Sequence, residues 1–242
     1  CCGALSLHAG RASEAADFAR RTIAVFERAG VDAIVVNSAG CGSAMKEYGS
    51  LLAGPHAQAS PQAPPGHGQE QDPDDWAARA AALSRKVRDF SEFLIELFDQ
   101  RGGPRAARHE LPVKAAYHDA CHLAQAQRIR QQPRDLLRAI PGLEIAEVGD
   151  TGTCCGSAGV YNLLQPDTAA ELGQRKAAAI RATGARMVVA GNPGCSLQIA
   201  SALSADGGDV PAMVHIAEVL DASVRGLPVT ALGAGHRAPS SR

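Results

Sequence analysis

Apolar residues recur along this chain in two rhythms. From Ser13 to Ala29 they fall at helical spacing, with Ala15, Phe18, Ala19, Thr22, Val25 and Phe26 on one stripe and Gly30 as the stop. The rhythm returns later. Thr168 and Glu171 have the spacing of a capping box, Leu172, Ala179 and Ile180 contribute an apolar side, and Gly184 ends the pattern. Each of these helices is followed by a short apolar run, Ala33 to Val36 and Met187 to Ala190, that predicts a strand. Val113 to Tyr117 and Glu144 to Val148 predict two more. From Trp76 onward, Trp76, Ala80, Leu83, Val87, Phe90, Leu94 and Leu97 recur every three or four positions, which predicts one long helix or two joined ones. Short strands alternating with helices read as an α/β fold with largely parallel sheets.

The pattern is also repeated. Cys1-Cys2-Gly3, a helix, and a strand leading to Asn37-Ser38-Ala39-Gly40-Cys41 return as Cys154-Cys155-Gly156, a helix, and a strand leading to Asn192-Pro193-Gly194-Cys195. Gly3 precedes Cys41 by 38 positions and Gly156 precedes Cys195 by 39, so duplication of one unit is the simplest cause. The expected organisation is a first cysteine-rich unit over 1–53, a flexible Pro/Gly/Gln-rich insertion over 54–75 and connecting helices over 76–112. A second cysteine-rich unit over 113–225 and a disordered tail over 226–242 complete it.

Composition narrows the function classes. Hydrophobic residues make up 45% of the 242 residues but aromatics only 4%, so small aliphatic side chains must build the core. A net charge of -1, with 24 Lys and Arg scattered among 25 Asp and Glu, offers no basic field, and nucleic acid is excluded as an expected partner. No apolar run reaches the roughly 18 residues of a membrane span, and the N-terminus lacks the layout of a signal peptide. The expected compartment is the cytoplasm. A chain that starts on Cys1 rather than Met, inside a motif that recurs deep in the sequence, is expected to be an N-terminally truncated fragment.

The seven cysteines carry the chemistry. Cys41, Cys121, the pair Cys154 and Cys155, and Cys195 each follow a predicted strand by a few residues, and in open parallel sheets ligands bind just outside the carboxyl ends of the strands. Disulfides are disfavoured in a reducing compartment, and vicinal cysteines, with Cα atoms about 3.8 Å apart, lie below the usual span of an unstrained bridge. Buried free thiols would not come in two matched sets. Soft thiolates select iron-sulfur clusters or zinc. Adjacent thiolates can reach different irons of one cluster, and a following Gly permits the turn that exposes both. Zinc sites usually draw pairs from Cys-x2-Cys knuckles, absent here, which favours iron and sulfur while leaving zinc as the alternative. Cys121, Cys154, Cys155 and Cys195 form a set of four. Cys1, Cys2 and Cys41 form a set of three, whose missing member is expected about thirty residues upstream by analogy with the second copy. His118 and His122 flank Cys121 and are candidates for hydrogen bonds to a cluster or for ligation. No nucleophilic triad, phosphate loop or dinucleotide fingerprint is encoded, so an electron relay is expected in this chain and no substrate-binding catalytic site.

In Cys1-Cys2-Gly3-Ala4-Leu5, Ser38-Ala39-Gly40-Cys41-Gly42 with Lys46-Glu47-Tyr48-Gly49, Cys154-Cys155-Gly156-Ser157-Ala158-Gly159 and Asn192-Pro193-Gly194-Cys195, the sequence resembles the Cys-Cys-Gly domain family. That family is found in a subunit of heterodisulfide reductase, in lactate utilisation proteins and in the iron-sulfur subunit of glycolate oxidase. The resemblance implies two Rossmann-like lobes and an iron-sulfur cluster, of the 4Fe-4S kind, on the cysteines. It also implies flavin-containing glycolate oxidase subunits as partners, with FAD only on the partner, and electron delivery to a quinone at the inner face of the membrane. A lactate-oxidising or heterodisulfide reductase-like complex is the alternative. Cys195 is followed three residues later by Gln198, and Cys41 by Ala44, where heterodisulfide reductase ends its motif in Cys-x2-Cys.

Overall fold

The computed structural model describes residues 1–54, 73–149, 152–205 and 210–233. Most of the expected insertion, residues 55–72, lies outside the described residues. The chain divides into two compact units, Cys1–Asp89 and Phe90–Arg242.

The first unit runs α1 (Ala4–His8), α2 (Ala12–Ala29), β1 (Ile34–Val36), α3 (Ala39–Lys46), α4 (Tyr48–Ala53), α5 (Pro73–Ser84) and β2 (Val87–Asp89). Gly30 stops α2 in the left-handed conformation, its N–H reaching the carbonyls of Phe26 and Glu27. The expected stripe of α2 proves to be two faces. Ala16, Ala19 and Ile23 enter the core, with Leu52, Trp76 and Val87 among their companions. Ala15 and Phe18 instead face the Gly3 turn, and Val25 is exposed. The expected continuous helical stretch from Trp76 is also corrected. Val87 leaves the helix and enters β2, which pairs in parallel with β1, Ile34 opposite Val87. A β-branched residue ending a helical rhythm at a strand gives no local signal, because only the pairing with β1 decides it.

The second unit runs α6 (Phe90–Arg101), β3 (Val113–His118), a π-helical turn (His122–Ala126), α7 (Gln131–Arg138), β4 (Leu143–Glu147), α8 (Tyr161–Leu164) and α9 (Pro166–Ala182). β5 (Met187–Ala190), α10 (Pro193–Ala205), β6 (Ala212–His215), α11 (Ile216–Arg225) and a 3-10 turn (Val229–Ala231) follow. Among the described residues its four strands are all parallel, in the order β4-β3-β5-β6. The two lobes are Rossmann-like α/β units, as the alternation of elements implies. β5 coincides with the predicted run, and β6 adds a short edge strand that four residues after Pro211 did not announce. The capping box expected at Thr168 and Glu171 does not form. α9 starts three residues earlier, with Gln165 at the N-cap and Pro166, whose fixed φ suits the first helical position, after it. The start of the expected disordered tail is ordered: Gly226 closes α11, and Leu227, Val229 and Leu232 pack on the core. Residues 234–242 lie outside the described residues.

One side chain ties the site end of this sheet together. Arg134 of α7 donates to both oxygens of Asp119, at 3.0 and 2.6 Å, and to both oxygens of Glu147, at 2.8 and 2.7 Å. Its guanidinium also lies over the Tyr117 ring. It thus straps the end of β3 to the end of β4. Asp119 is almost wholly buried, its side chain 4% exposed, so Arg134→Met leaves a buried carboxylate without its counter-charge. The expected loss is roughly 3–5 kcal/mol, read from the urea midpoint. Arg134 holds the Glu147 carboxyl below its usual range, and that contribution is present above the unfolded carboxylate pKa. It is lost as pH falls through the lowered folded value, so the gap between wild type and Arg134→Met narrows on acidification below about pH 4.

Candidate metal centre

The strand ends place the sulfurs. Tyr117 lies opposite Glu147, and His118 opposite Ala190, so β3, β4 and β5 end nearly level. Cys121 follows β3, Cys154 and Cys155 sit in the loop after β4, and Cys195 occupies the first turn of α10. Cys41 has the same place in the first turn of α3. Helix N-termini favour thiolates, because unpaired backbone N–H groups point at the sulfur.

Each vicinal pair turns on a left-handed glycine, Gly3 with φ 81° and Gly156 with φ 92°. A Cβ on Gly3 would lie 3.0 Å from the Ala15 carbonyl oxygen, and one on Gly156 would collide with the Ala169 carbonyl. Both turns therefore press directly on the backbone of the following helix. The Gly3 N–H lies 3.5 Å from the Cys1 sulfur, and the Gly156 N–H 3.4 Å from the Cys154 sulfur. The two turns are built alike. Gly194 allows a further close approach, since a Cβ there would lie 2.8 Å from the Ser157 hydroxyl.

In the second lobe the four sulfurs act on one another's acidity in a row: Cys121 on Cys154, Cys154 on Cys155, Cys155 on Cys195. The row alternates in acidity. Contact with Cys121 and Cys155, helped by the backbone N–H groups of Gly156 and Ala158, pulls the Cys154 thiol down to about 2. Contact with Cys155, helped by His118 and Asn192 against the effect of burial, lowers Cys195 to about 5. Cys121 and Cys155 are pushed up, by their thiolate neighbours and then by burial. Two anionic sulfurs packed among two thiols make a donor set for a soft cation or cluster, and burial of Cys155 and Cys195 keeps water away. His118 is 2% exposed and joins this set. Its donor atom lies within 4.8 Å of the Cys155 and Cys195 sulfurs, and its Nε2 is buried without a hydrogen-bond partner. An orphaned buried imidazole nitrogen beside thiolates fits a site that receives a metal group. His122 meets the other end of the set, its Nδ1 3.6 Å from the Cys121 sulfur.

The first lobe brings two of its three sulfurs together. Cys2 and Cys41 are in contact, and that contact, with Ser38, lowers Cys41 to about 6 while Cys2 is raised. Cys1 is exposed. All seven cysteines are free of disulfides. The sequence left several supports unassigned. Tyr48 donates to the Cys2 carbonyl at 2.6 Å, Thr22 reaches the Cys1 carbonyl at 3.5 Å, and the Asn192 amide donates to Cys195 at 3.3 Å. Tyr48 and Asn192 stand inside the quoted motifs, which was the available signal. Lys176, 1% exposed on the face of α9 that carries Ala169 and Gly173, had no such signal. His215 caps α11, its ring accepting from the Ala217 N–H, a structural duty.

Thiols gathered at the carboxyl edge of a parallel sheet, on turns that the first lobe repeats, define a duplicated cysteine-rich α/β protein. The sequence profile of the Cysteine-rich domain family CCG matches residues 1–46 and 115–200, one stretch in each unit, and the chain belongs to that family. Among curated proteins it is 37% identical, over 91% of its length, to the "Probable glycolate oxidase iron-sulfur subunit" of Bacillus subtilis (strain 168). It covers 45% of that relative. It is 27% identical to lactate utilization protein A of Exiguobacterium sp., covering 93% of this chain and 82% of the relative. It is 32% identical to a subunit of the fumarate reductase (CoM/CoB) of Methanothermobacter marburgensis, covering 91% of this chain and 38% of the relative. The chain thus spans less than half the length of two of these relatives. Among the described residues no helix is long and apolar enough to cross a membrane.

The alternating acidity has a measurable consequence in the metal-free protein. Brief iodoacetamide treatment at pH 7 should label Cys154, a half-exposed thiolate, ahead of Cys155, a buried thiol, with the order read by peptide mass spectrometry. Faster labelling of Cys155 would contradict the assignment.

Proposed function

We propose that Cys121, Cys154, Cys155 and Cys195 hold an iron-sulfur cluster of the 4Fe-4S kind, and that the chain relays electrons within an oxidoreductase complex. The observation that carries this reading is the grouping of the Cys155 and Cys195 sulfurs with His118 within 4.8 Å of one another, with Cys154 and Cys121 acting on that group in turn. Cys1, Cys2 and Cys41 would hold a second group with a ligand from elsewhere. When bound, such a cluster supplies one-electron transfer with little change in geometry. The chain's own residues do the rest. The β-strand ends fix the sulfurs, and Arg134 holds two of those ends. His118 and Asn192 would tune the buried sulfurs by hydrogen bonding, and apolar burial limits water.

Two of the named relatives, the glycolate oxidase iron-sulfur subunit and lactate utilization protein A, support a donor among 2-hydroxy acids. In the reading we favour, a flavin-bearing subunit oxidises glycolate to glyoxylate, its FAD passes electrons to this chain, and a quinone at the cytoplasmic face of the membrane receives them. Identity to the glycolate oxidase iron-sulfur subunit supports this choice. A lactate-oxidising complex is the second reading, favoured by coverage of 82% of lactate utilization protein A.

Anaerobic reconstitution with iron and sulfide tests the core of the proposal. The expected product is brown, contains acid-labile sulfide, and loses most of both in Cys155→Ser; a colourless, zinc-loaded protein without iron would overturn it. Co-purification with a flavin subunit, followed by a screen of glycolate against lactate, decides the donor.

A further inference from the structure

Each lobe contains a cavity between the helix that follows its Cys-Cys-Gly turn and the helix that carries its lone cysteine. The first is about 240 Å³, walled by Leu7, Ala15, Ala44 and Leu51, with Cys2 also on its lining. Glu47 and Ser50, both exposed, stand at its mouth. The second is about 190 Å³ and is lined by Ala169, Gln198, Ser201 and Ala205 among others. These are one cavity inherited twice. Ala169, Gln198, Ser201 and Ala205 each lie 154 positions after Ala15, Ala44, Glu47 and Leu51, the same offset that separates Cys195 from Cys41.

The copies have diverged at one position. In the second lobe Gln198 spans the cavity, its Nε2 donating to the Ala169 carbonyl at 3.1 Å and its Oε1 accepting from Asn162 at 3.2 Å. Among the described residues no cysteine lines that cavity. In the first lobe Ala44 stands in place of the glutamine, and the space extends to Cys2 and Gly3. The Tyr48 hydroxyl is engaged with the Cys2 carbonyl, so the tyrosine offers its ring to the cavity as a wall.

We propose that the first-lobe cavity binds a small, uncharged, largely apolar ring, of the quinone-headgroup class, beside Cys2, and that Gln198 cuts the equivalent cavity of the second lobe off from its cysteine pair. Size selects the ring: a dry cavity of about 150 Å³ takes benzene, and drug-sized ligands fill roughly 300 Å³ or more, so this space suits one substituted ring. Charge selects against the acids. Glu47 at the mouth repels a carboxylate, while with Ser50 it can hydrogen-bond a ring hydroxyl or carbonyl. Position selects an electron acceptor, and this element alone rests on the relay reading above. A ring in this cavity touches the lining that contains a candidate cluster ligand.

Duroquinone is the probe, because its fully methylated ring resists addition of the nearby thiols. Equilibrium dialysis against the full chain, with and without reconstituted cluster, should show one saturable site. Ala44→Gln, which installs the second lobe's plug, should weaken binding at least tenfold, and Leu51→Phe, which fills the cavity from another wall, should do the same. Circular dichroism checks that both variants fold. Absence of saturable binding to the wild type, or wild-type affinity in both folded variants, overturns the proposal. Binding by the metal-free chain together with failed reconstitution would sink the cluster reading and leave the cavity standing. A cluster-loaded chain that binds no quinone would sink the cavity alone.

Discussion

The parallel register of β3 between β4 and β5 governs where every sulfur of the second lobe can lie. With Ala115 opposite both Ile145 and Met187, and the strands ending within about one residue of each other, the three following loops leave the sheet at a common level. Loops that start together can meet after a few residues, as Cys121, Cys154, Cys155 and Cys195 do. A slip of β4 by one residue would reverse the faces of its side chains and carry Glu147 away from Arg134. The same strap that joins Asp119 to Glu147 is therefore also a check on register.

How far the sequence alone reaches follows from which interactions are local. α2 and β5 were readable because a glycine stop and a short apolar run are signals carried by neighbouring residues. The placing of cysteines after strands was readable for the same reason, and the repeat of Cys-Cys-Gly with a lone downstream cysteine exposed the duplication. β2 was not readable, since Val87 continues a helical rhythm and becomes a strand residue only through its partner Ile34. Nor was the Arg134 strap, which joins residues 15 and 13 positions apart through side chains on three elements. His118 was visible as a flank of Cys121, but its grouping with Cys155 and Cys195 depends on the neighbouring loops.

Duplication left the lobes with one scaffold and two chemical tempers. Both vicinal pairs turn on a left-handed glycine, and both lone cysteines sit in the first turn of a helix. The second lobe buries two of its sulfurs and adds an imidazole and a carboxamide at Cys195. The first leaves Cys1 exposed and braces its turn through Thr22 and Tyr48. A lobe that encloses its thiols favours stable retention of what they hold, whereas one that leaves them accessible favours exchange with what arrives.

The glycine turns carry a consequence for how such a protein can change over time. Gly3 and Gly156 rest on the main chain of α2 and α9, on the carbonyls of Ala15 and Ala169. Main-chain atoms are the same whatever the side chain, so a seat made of them survives turnover of most of the helix's residues. The helices behind the turns are free to drift in sequence, as α2 and α9 have done. The spacing of the sulfurs is inherited through the backbone, and a glycine at the hinge is the one residue type that this inheritance cannot exchange.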